Sequence, residues 1–555
     1  MENAEWIVAF GSIAAFLNAF TVGANLTANC WGPVLGARVI KYRTAVLLGV
    51  ICQTAGVLAF GPRTYTIFGG FLDGTTELKS HPQLTLYAIM WTVVTPVVWQ
   101  SLAIWRQILV PAYLGTVASI VGAVLVFPGA SSLEFGQMLS SPPFLTGLGP
   151  IFLTWLCAPW ITIILILLSF LGMRSLIMRG EDTFHRVLWI LPAGACFLAV
   201  VLGLFIIEVI GSPSRLSPLN LTAQELVIIL AAIGSGSCVL MTMFIPYMTR
   251  RVTSRKPNLK VLRRMNFLGL DDVTVQDLAD CDRSADMKGW LQRMHAWLFE
   301  RDLFAGIASD TNLMRIHATA EEYESAAEDC FAPFQVVTCL CLSVAHGANN
   351  ARTSVGVLLF MADLYHSGAV STAVNIGFGG RIVGAVAMAL GSLLCGFQLA
   401  PVSGVQLAKM TPFRSAVVMA YTAVSITILS LLQLKGGVIT YVIVCAVSAI
   451  GFAEGPSHTN WKKVATILLW WFLGFFCVCG ATYVLVAQGT PLAQHSSATL
   501  HYVPAHCLIF FFITLIDAGK QREKYIYNNL DSMRACVVGD CGSSRGVRAD
   551  MDLHC

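Results

Sequence analysis

Apolar runs of about 20 residues, the length that crosses a hydrocarbon core, recur along nearly all of this chain, and two of them are interrupted in the same way. At Gly23-Ala24-Asn25-Leu26-Thr27-Ala28-Asn29-Cys30-Trp31-Gly32-Pro33, and again at Gly347-Ala348-Asn349-Asn350-Ala351-Arg352-Thr353-Ser354-Val355-Gly356, glycine, asparagine and small polar residues stand where a span ordinarily continues with leucine, isoleucine and valine. Irregular backbone is tolerated at that depth only when it is buried in protein or lines a polar cavity. A pair of such breaks, one in each half of a chain, points to a binding site between the halves. The helices are therefore expected to break at Gly23, Gly32, Gly347 and Gly356, with a half-helix beginning at each interruption.

The composition agrees. Of 555 residues 56% are hydrophobic and only 12% charged, too little polar surface to cover a soluble globule. Mean hydropathy is +0.70. Candidate crossings fall near 6–25, 43–61, 83–105, 107–128, 150–172, 187–211, 223–247, 335–349, 371–398, 415–433, 436–453, 464–487 and 502–518, about 12 or 13 in all. Arg38, Lys41, Arg43, Arg106, Arg174, Arg179, Arg186 and a cluster from Arg250 to Arg264 fall in alternate loops, which the positive-inside rule makes cytoplasmic. The N-terminus then faces out. The sequence divides into a first membrane half (1–247), a cytoplasmic linker (248–333), a second membrane half (334–518) and a disordered cytoplasmic tail (519–555).

Other chemistry finds little support. The net charge of +4 lies mainly in loops and does not suggest nucleic-acid binding. The 17 cysteines are scattered through apolar runs without zinc-ligand spacing. Asp271, Asp272, Asp277, Asp280 and Asp282 lack the spacing and glycine of a calcium loop and read as a solvated face. No catalytic triad, nucleotide loop or redox-cofactor motif supports an enzyme, and no metal or organic cofactor is expected.

The two interruptions carry a resemblance. Gly23-Ala24-Asn25-x-x-Ala28-Asn29 and Ala345-His346-Gly347-Ala348-Asn349-Asn350 resemble the paired GANDxAN and AHGxNDxxN signatures of the inorganic phosphate transporter family. Phe334-Gln335-Val336-Val337-Thr338-Cys339 is similar to the approach to the second signature, and Thr411-Pro412-x-Arg414 to a TPxRG element. The resemblance implies an all-α polytopic membrane protein, an inverted-repeat transporter with about 12 transmembrane helices and broken or re-entrant helices at the site. It implies transport of inorganic phosphate by alternating access, coupled in symport to Na+ or H+. Asn25, Asn29, Asn349 and Asn350 would donate amide N–H groups to phosphate oxygens, and Thr27, Thr353 and Ser354 would add hydroxyls. Expected partners are inorganic phosphate and the lipid bilayer, with a homodimer left open. The plasma membrane is the expected location, from the family and the outer-loop sequon Asn220-Leu221-Thr222.

Departures from the family pattern are systematic. The signature aspartates are Leu26 and Asn350, the glutamate of the helix after the first signature is Gln53, and that of the second half, counted from Thr411-Pro412, is Met419. All four acidic positions are neutral, which bears on coupling because carboxylates are the natural cation ligands and proton carriers within a membrane. Pro401-Val402-Ser403-Gly404 spells half of the family's PVSxTH element but precedes Thr411 and reads as a decoy. Arg352, just inside the second break, either lends a fixed positive charge to the anion or pairs with Asp363 or snorkels to an interface. Two rivals are a transport-inactive phosphate sensor or receptor, and a carrier of another oxyanion.

Overall fold

A backbone in hydrocarbon must satisfy its own N–H and C=O groups, so apolar runs of this length fold as helices. The computed structural model describes residues 4–60, 63–65, 81–127, 148–207, 222–253, 302–351, 354–370, 373–375, 377–432, 434 and 437–489. Arg352, Thr353, Asn220, the carboxylates of 271–282, the crossing at 502–518 and the tail at 519–555 lie outside them.

In the first half, α1 (Glu5–Leu26) runs through a π turn (Thr27–Trp31) into the short α2 (Gly32–Gly36). There follow α3 (Tyr42–Phe60), the strand β1 (Arg63–Tyr65), α4 (Pro82–Trp105), α5 (Ala112–Val124), α6 (Gly149–Met173) with a second π turn (Arg174–Met178), α7 (Thr183–Phe205) and α8 (Ala223–Thr253). After the linker come α9 (Thr311–Thr319), α10 (Ser325–Asp329), α11 (Ala332–Asn350), α12 (Val355–Ser367), β2 (Ala373–Asn375), α13 (Phe378–Pro401) with a third π turn (Val402–Gln406), α14 (Pro412–Leu431), α15 (Ile439–Glu454) and α16 (Trp461–Gln488). Proline in the first turn sets the start of α4, α6, α11 and α14, where its missing N–H costs nothing. The strands form one antiparallel ribbon that joins the end of α3 to the approach to α13, with Arg63 opposite Asn375.

Among the described residues, ten helical segments are long and apolar enough to cross a membrane, and two apolar helices, Ala112–Val124 and Ile439–Glu454, are shorter. The crossings expected at 107–128 and 436–453 are thus 13- and 16-residue helices, short of the ~20 residues a full span requires. The first membrane half and the second as far as Thr490 fall within one compact unit, Met1–Thr490. The other unit, Pro491–Cys555, lies outside the described residues.

The core is built by two reciprocal helix pairs, α1 on α13 and α3 on α11. Glycines set how closely each pair approaches. A Cβ at Gly23 would fall on the backbone of Met388, and one at Gly391 on the backbone of Phe20. In the other pair, a Cβ at Gly347 would fall on Gln53 and one at Gly56 on Val344. All four glycines face a backbone carbonyl of the partner helix, and in every helix the contacting residues are three apart, on one face. Met388 on α13 meets Gly23 as Gln53 on α3 meets Gly347, and Met419 is a buried residue of α14. Outward faces of α6, α7, α8 and α16 expose large apolar side chains, among them Leu168, Trp189, Leu240 and Phe472.

Candidate functional site

The first interruption takes a form the sequence reading did not expect. Gly23, Ala24 and Asn25 lie inside a continuous α1, and the helix changes pitch only at Thr27, as a π turn. Gly23 therefore serves close helix packing and not a helix end. Gly32 does open a new segment, with Pro33 beside it in the first turn of α2. The second interruption is a true helix end: α11 stops at Asn350 and α12 starts at Val355, with Gly356 in its first turn. Gly347 and Asn349 belong to the last turn of α11.

Asn25 and Asn29 are both buried, four residues apart and so close to one face of the helix. Asn25 Nδ2 donates to the carbonyl oxygen of Val110 at 3.3 Å. Val110 immediately precedes Pro111, the N-cap of the short α5. Asn29 Nδ2 donates to Thr440 Oγ1 at 3.1 Å. Thr440 lies in the first turn of the other short helix, α15. The half-helix starts thus come from α5 and α15, distant in sequence, and not from the signatures themselves. Neither start has a side-chain cap, so each presents first-turn N–H groups and the positive end of its dipole beside the asparagines.

Around this centre, buried polar atoms stand without hydrogen-bond partners. They are Asn29 Oδ1, Gln100 Nε2 and Tyr441 Oη, whereas Thr27 Oγ1, also unpaired, faces Gly396 on α13. Gln100 shares a narrow crevice with Asn25, Ala103, Ile104, Ile108 and Val110, and its Oε1 accepts from Thr21 at 2.9 Å. Unpaired buried donors and acceptors cost about 1–3 kcal/mol each, which marks the region as built for a polar occupant.

The second half encloses the π turn. Ser403 Oγ donates to the carbonyl oxygen of Ala28 at 2.6 Å, and a Cβ at Gly404 would fall on Gly32. Pro401-Val402-Ser403-Gly404, discounted from sequence, packs on the first signature, at the point where the end of α13 becomes a π turn. Trp31, fully buried, donates Nε1–H to Ser343 Oγ on α11 at 2.9 Å. Ser392 Oγ donates to the carbonyl oxygen of Gly23 at 2.8 Å and accepts from Gln53 Nε2 at 3.3 Å. Gln53 Oε1 faces His346 Nδ1 at 3.0 Å. Gln53 and His346 are both buried, and the Gln53 amide on α3 links His346 on α11 to Ser392 on α13.

The remaining sequence-predicted residues are placed differently. Asn349 is exposed and Asn350 half-buried. Asn350 Nδ2 donates to the carbonyl oxygen of His346 at 2.9 Å, and Ser354, buried, donates Oγ–H to the carbonyl oxygen of Asn350 at 2.7 Å. These bonds fasten the end of α11 to the start of α12. Val110, Thr440, Gln100 and Tyr441 were missed from sequence. The only signal for them was the pair of apolar runs beginning after Pro111 and Gly437, in the regions where the resembled family carries its PVSxTH elements.

The end of the linker straps one face of the bundle. Glu321 is ion-paired with Arg174 at 2.9 Å and Arg179 at 2.8 Å, in the first half. Its backbone oxygen accepts from Arg414 Nη2 at 2.6 Å, in the second. Arg414 is fully buried at the start of α14, pairs with Glu454 and lies over the Tyr323 ring. His317 Nε2 donates to the carbonyl oxygen of Val405 at 2.9 Å. Burial holds the His317 imidazole down to about 4, and the Arg179 hydrogen bond, joined by the charges of Arg174 and Arg414, holds the Glu321 carboxyl below its usual range.

This fold and site define a multi-pass integral membrane protein with a polar centre buried between reciprocally packed helices. The Phosphate transporter family profile matches residues 22–482. The chain belongs to the phosphate transporter family, a family of permeases and not of enzymes. It is 20% identical over 572 residues to the phosphate-repressible phosphate permease pho-4 of Neurospora crassa, covering 85% of this chain and 95% of that one. A putative phosphate permease of Chlamydia trachomatis is 22% identical over 472 residues, covering 83% and 93%. The fold is that of a solved sodium-dependent phosphate transporter, with a TM-score of 0.60 at 18% identity, covering 86% of this chain and 98% of that one.

Proposed function

We propose that this protein carries inorganic phosphate across a membrane by alternating access, with the anion held between Asn25 and Asn29 on the π-turn helix and the N-terminal turns of α5 and α15. One observation carries the reading. Two buried asparagine amides meet the starts of two short, side-chain-uncapped helices, and the buried Asn29 Oδ1, Gln100 Nε2 and Tyr441 Oη lack partners. Helix starts and amide donors suit an oxyanion without any fixed positive charge. Thr27 adds a hydroxyl. Asn349 and Asn350 close α11 and Ser354 stands at the start of α12; with Arg352 and Thr353 they join the site when the carrier changes face. The reciprocal pairs α1/α13 and α3/α11 are the interface of an inverted repeat, across which one half rocks on the other. The apolar outer faces lie against lipid, and the plasma membrane is the proposed residence, with the N-terminus outside and the linker inside.

The driving gradient is sodium or protons. The solved relative is a sodium-dependent phosphate transporter. Uptake of labelled phosphate into proteoliposomes under each gradient tests the reading. Asn25→Ala and Asn29→Ala should each lower uptake about 10-fold or more, the loss expected when a charge-assisted hydrogen bond of about 1.5–3 kcal/mol disappears. Full uptake by the double variant would remove the asparagines from the site. Saturable binding without uptake would turn the reading to a sensor, and competition by sulfate or another oxyanion would redirect the substrate.

A further inference from the structure

The four helices around the signatures, α1, α3, α11 and α13, contain a single carboxylate, Glu5 in the first turn of α1. They contain a single imidazole, His346, buried one turn before Asn350. The partners around it assign the hydrogen bonds of that imidazole. Carbonyl oxygens only accept, so the Ser392 hydroxyl must donate to Gly23 or Met388, at 2.8 and 2.9 Å. Ser392 can then only accept from Gln53, so the Gln53 amide nitrogen faces Ser392 and its oxygen faces His346. His346 Nδ1 therefore carries the hydrogen, and Nε2 keeps a lone pair.

We propose that His346 Nε2 is the proton-coupling site of the carrier, with Gln53 as the residue that positions it; this rests on the phosphate-transport reading above. Protonation of Nε2 leaves the Nδ1–H bond to Gln53 intact and makes it charge-assisted, so the tie between the two helices survives in both states. The neutral amide matters. A glutamate at position 53, as the resembled signature pattern has, would neutralise an imidazolium permanently, whereas glutamine leaves the new charge uncompensated until an anion arrives. Proton and phosphate thus favour each other's binding by the same factor, which is the condition for symport. Nε2 takes a proton from the side the site faces, as phosphate enters, and returns it to the other side as phosphate leaves.

The elements packed against α11 are α1, α3, α7, α14 and the first π turn. Their charged groups are Glu5, Arg43, Arg186 and Arg414, each within the first turn of its helix, with Arg414 paired to Glu454. His185 lies beside Arg186 at the start of α7 and contacts Asp182. The thiols Cys30, Cys52, Cys196, Cys339 and Cys341 and the phenols Tyr42 and Tyr421 complete the titratable groups of these elements. Asp363 on α12 and Arg381 on α13 are the nearest charges on the elements that follow. Arg352 lies outside the described residues.

The test uses the full chain in proteoliposomes with the membrane potential clamped, reading labelled phosphate and lumenal pH together. In the wild type an inward gradient of one pH unit should drive about tenfold accumulation per coupled proton, with lumenal acidification that requires phosphate. His346→Asn keeps a donor at the Nδ1 position but cannot take the proton. It should retain phosphate exchange and lose accumulation. Gln53→Glu should likewise uncouple, by holding the imidazole charged. Wild-type accumulation indifferent to the proton gradient, or gradient-driven accumulation retained by His346→Asn, overturns the proposal. Absence of any phosphate exchange in the wild type overturns the transport reading itself, and this one with it.

Discussion

Replacing Gly23 by alanine probes the packing on which both signature helices depend. The added Cβ would stand 2.7 Å from the Met388 Cα and nearly on its carbonyl oxygen. Carbon atoms in contact sit about 3.5–4.0 Å apart, so α1 and α13 must separate by roughly 1 Å. The obstacle is backbone in the middle of a helix and cannot rotate away. Overpacking of this kind costs about 1–3 kcal/mol, and the 2.8 Å bond from Ser392 to the Gly23 carbonyl, worth about 1 kcal/mol, is stretched with it. Gly194→Ala supplies the reference, because nothing lies within 4 Å of a Cβ there and alanine gains up to about 1 kcal/mol of helix propensity. The two variants should differ by about 2–4 kcal/mol. For a cooperative unit of 490 residues, unfolding entropy near 2.1 cal/mol/K per residue makes this about 2–4 °C in melting temperature. Thermal unfolding of detergent-purified protein, with the variants side by side, measures it. Gly347→Ala, whose Cβ would stand 2.8 Å from the Gln53 carbonyl carbon, should match Gly23→Ala. Equal melting of Gly23→Ala and Gly194→Ala would refute the argument that close backbone approach sets this interface.

Glu454→Gln leaves the fully buried Arg414 without its counter-charge and should cost about 3–5 kcal/mol, read in the same melting assay, whereas the double change Arg414→Met/Glu454→Met should recover most of the loss. The strap should weaken in acid through two groups. His317 is held neutral by burial, so its contribution is complete above pH 6.5 and is lost as pH falls from 6.5 to about 4; His317→Gln should flatten that part of a melting-versus-pH curve. Glu321 has a depressed pKa, so its contribution is complete above the ordinary carboxylate range and fades as pH falls below it, by less than about 1 kcal/mol because the carboxylate is partly exposed. A Glu321→Gln protein that melts like the wild type at neutral pH but keeps the full acid loss below pH 4.5 would contradict that assignment.

Much was legible because membrane physics leaves a chain few choices. The apolar runs had to be helices, and the crossing expected at 415–433 is α14, which starts a few residues earlier because Thr411 caps it by accepting from the Arg414 N–H. The paired Gly/Asn segments marked α1 and α11, one helix from each of the two core pairs. What could not be read was how each segment deviates. Asn25 looks broken in sequence yet sits in continuous helix, because the second half covers the π turn with Ser403 and Thr440 and removes any need for a helix end.

From the sequence alone follow the membrane class, the positions of most helices and the family, since each rests on local composition or on residues within one motif. Only the tertiary structure decided that Gly23 and Gly347 serve helix contact, that α5 and α15 supply the helix starts, and that Gln53 joins His346 to Ser392. Those facts depend on groups separated by as many as 411 residues, as Asn29 and Thr440 are. Which atoms then meet is set by backbone approach at small residues, a property of two helices together that neither sequence segment carries by itself.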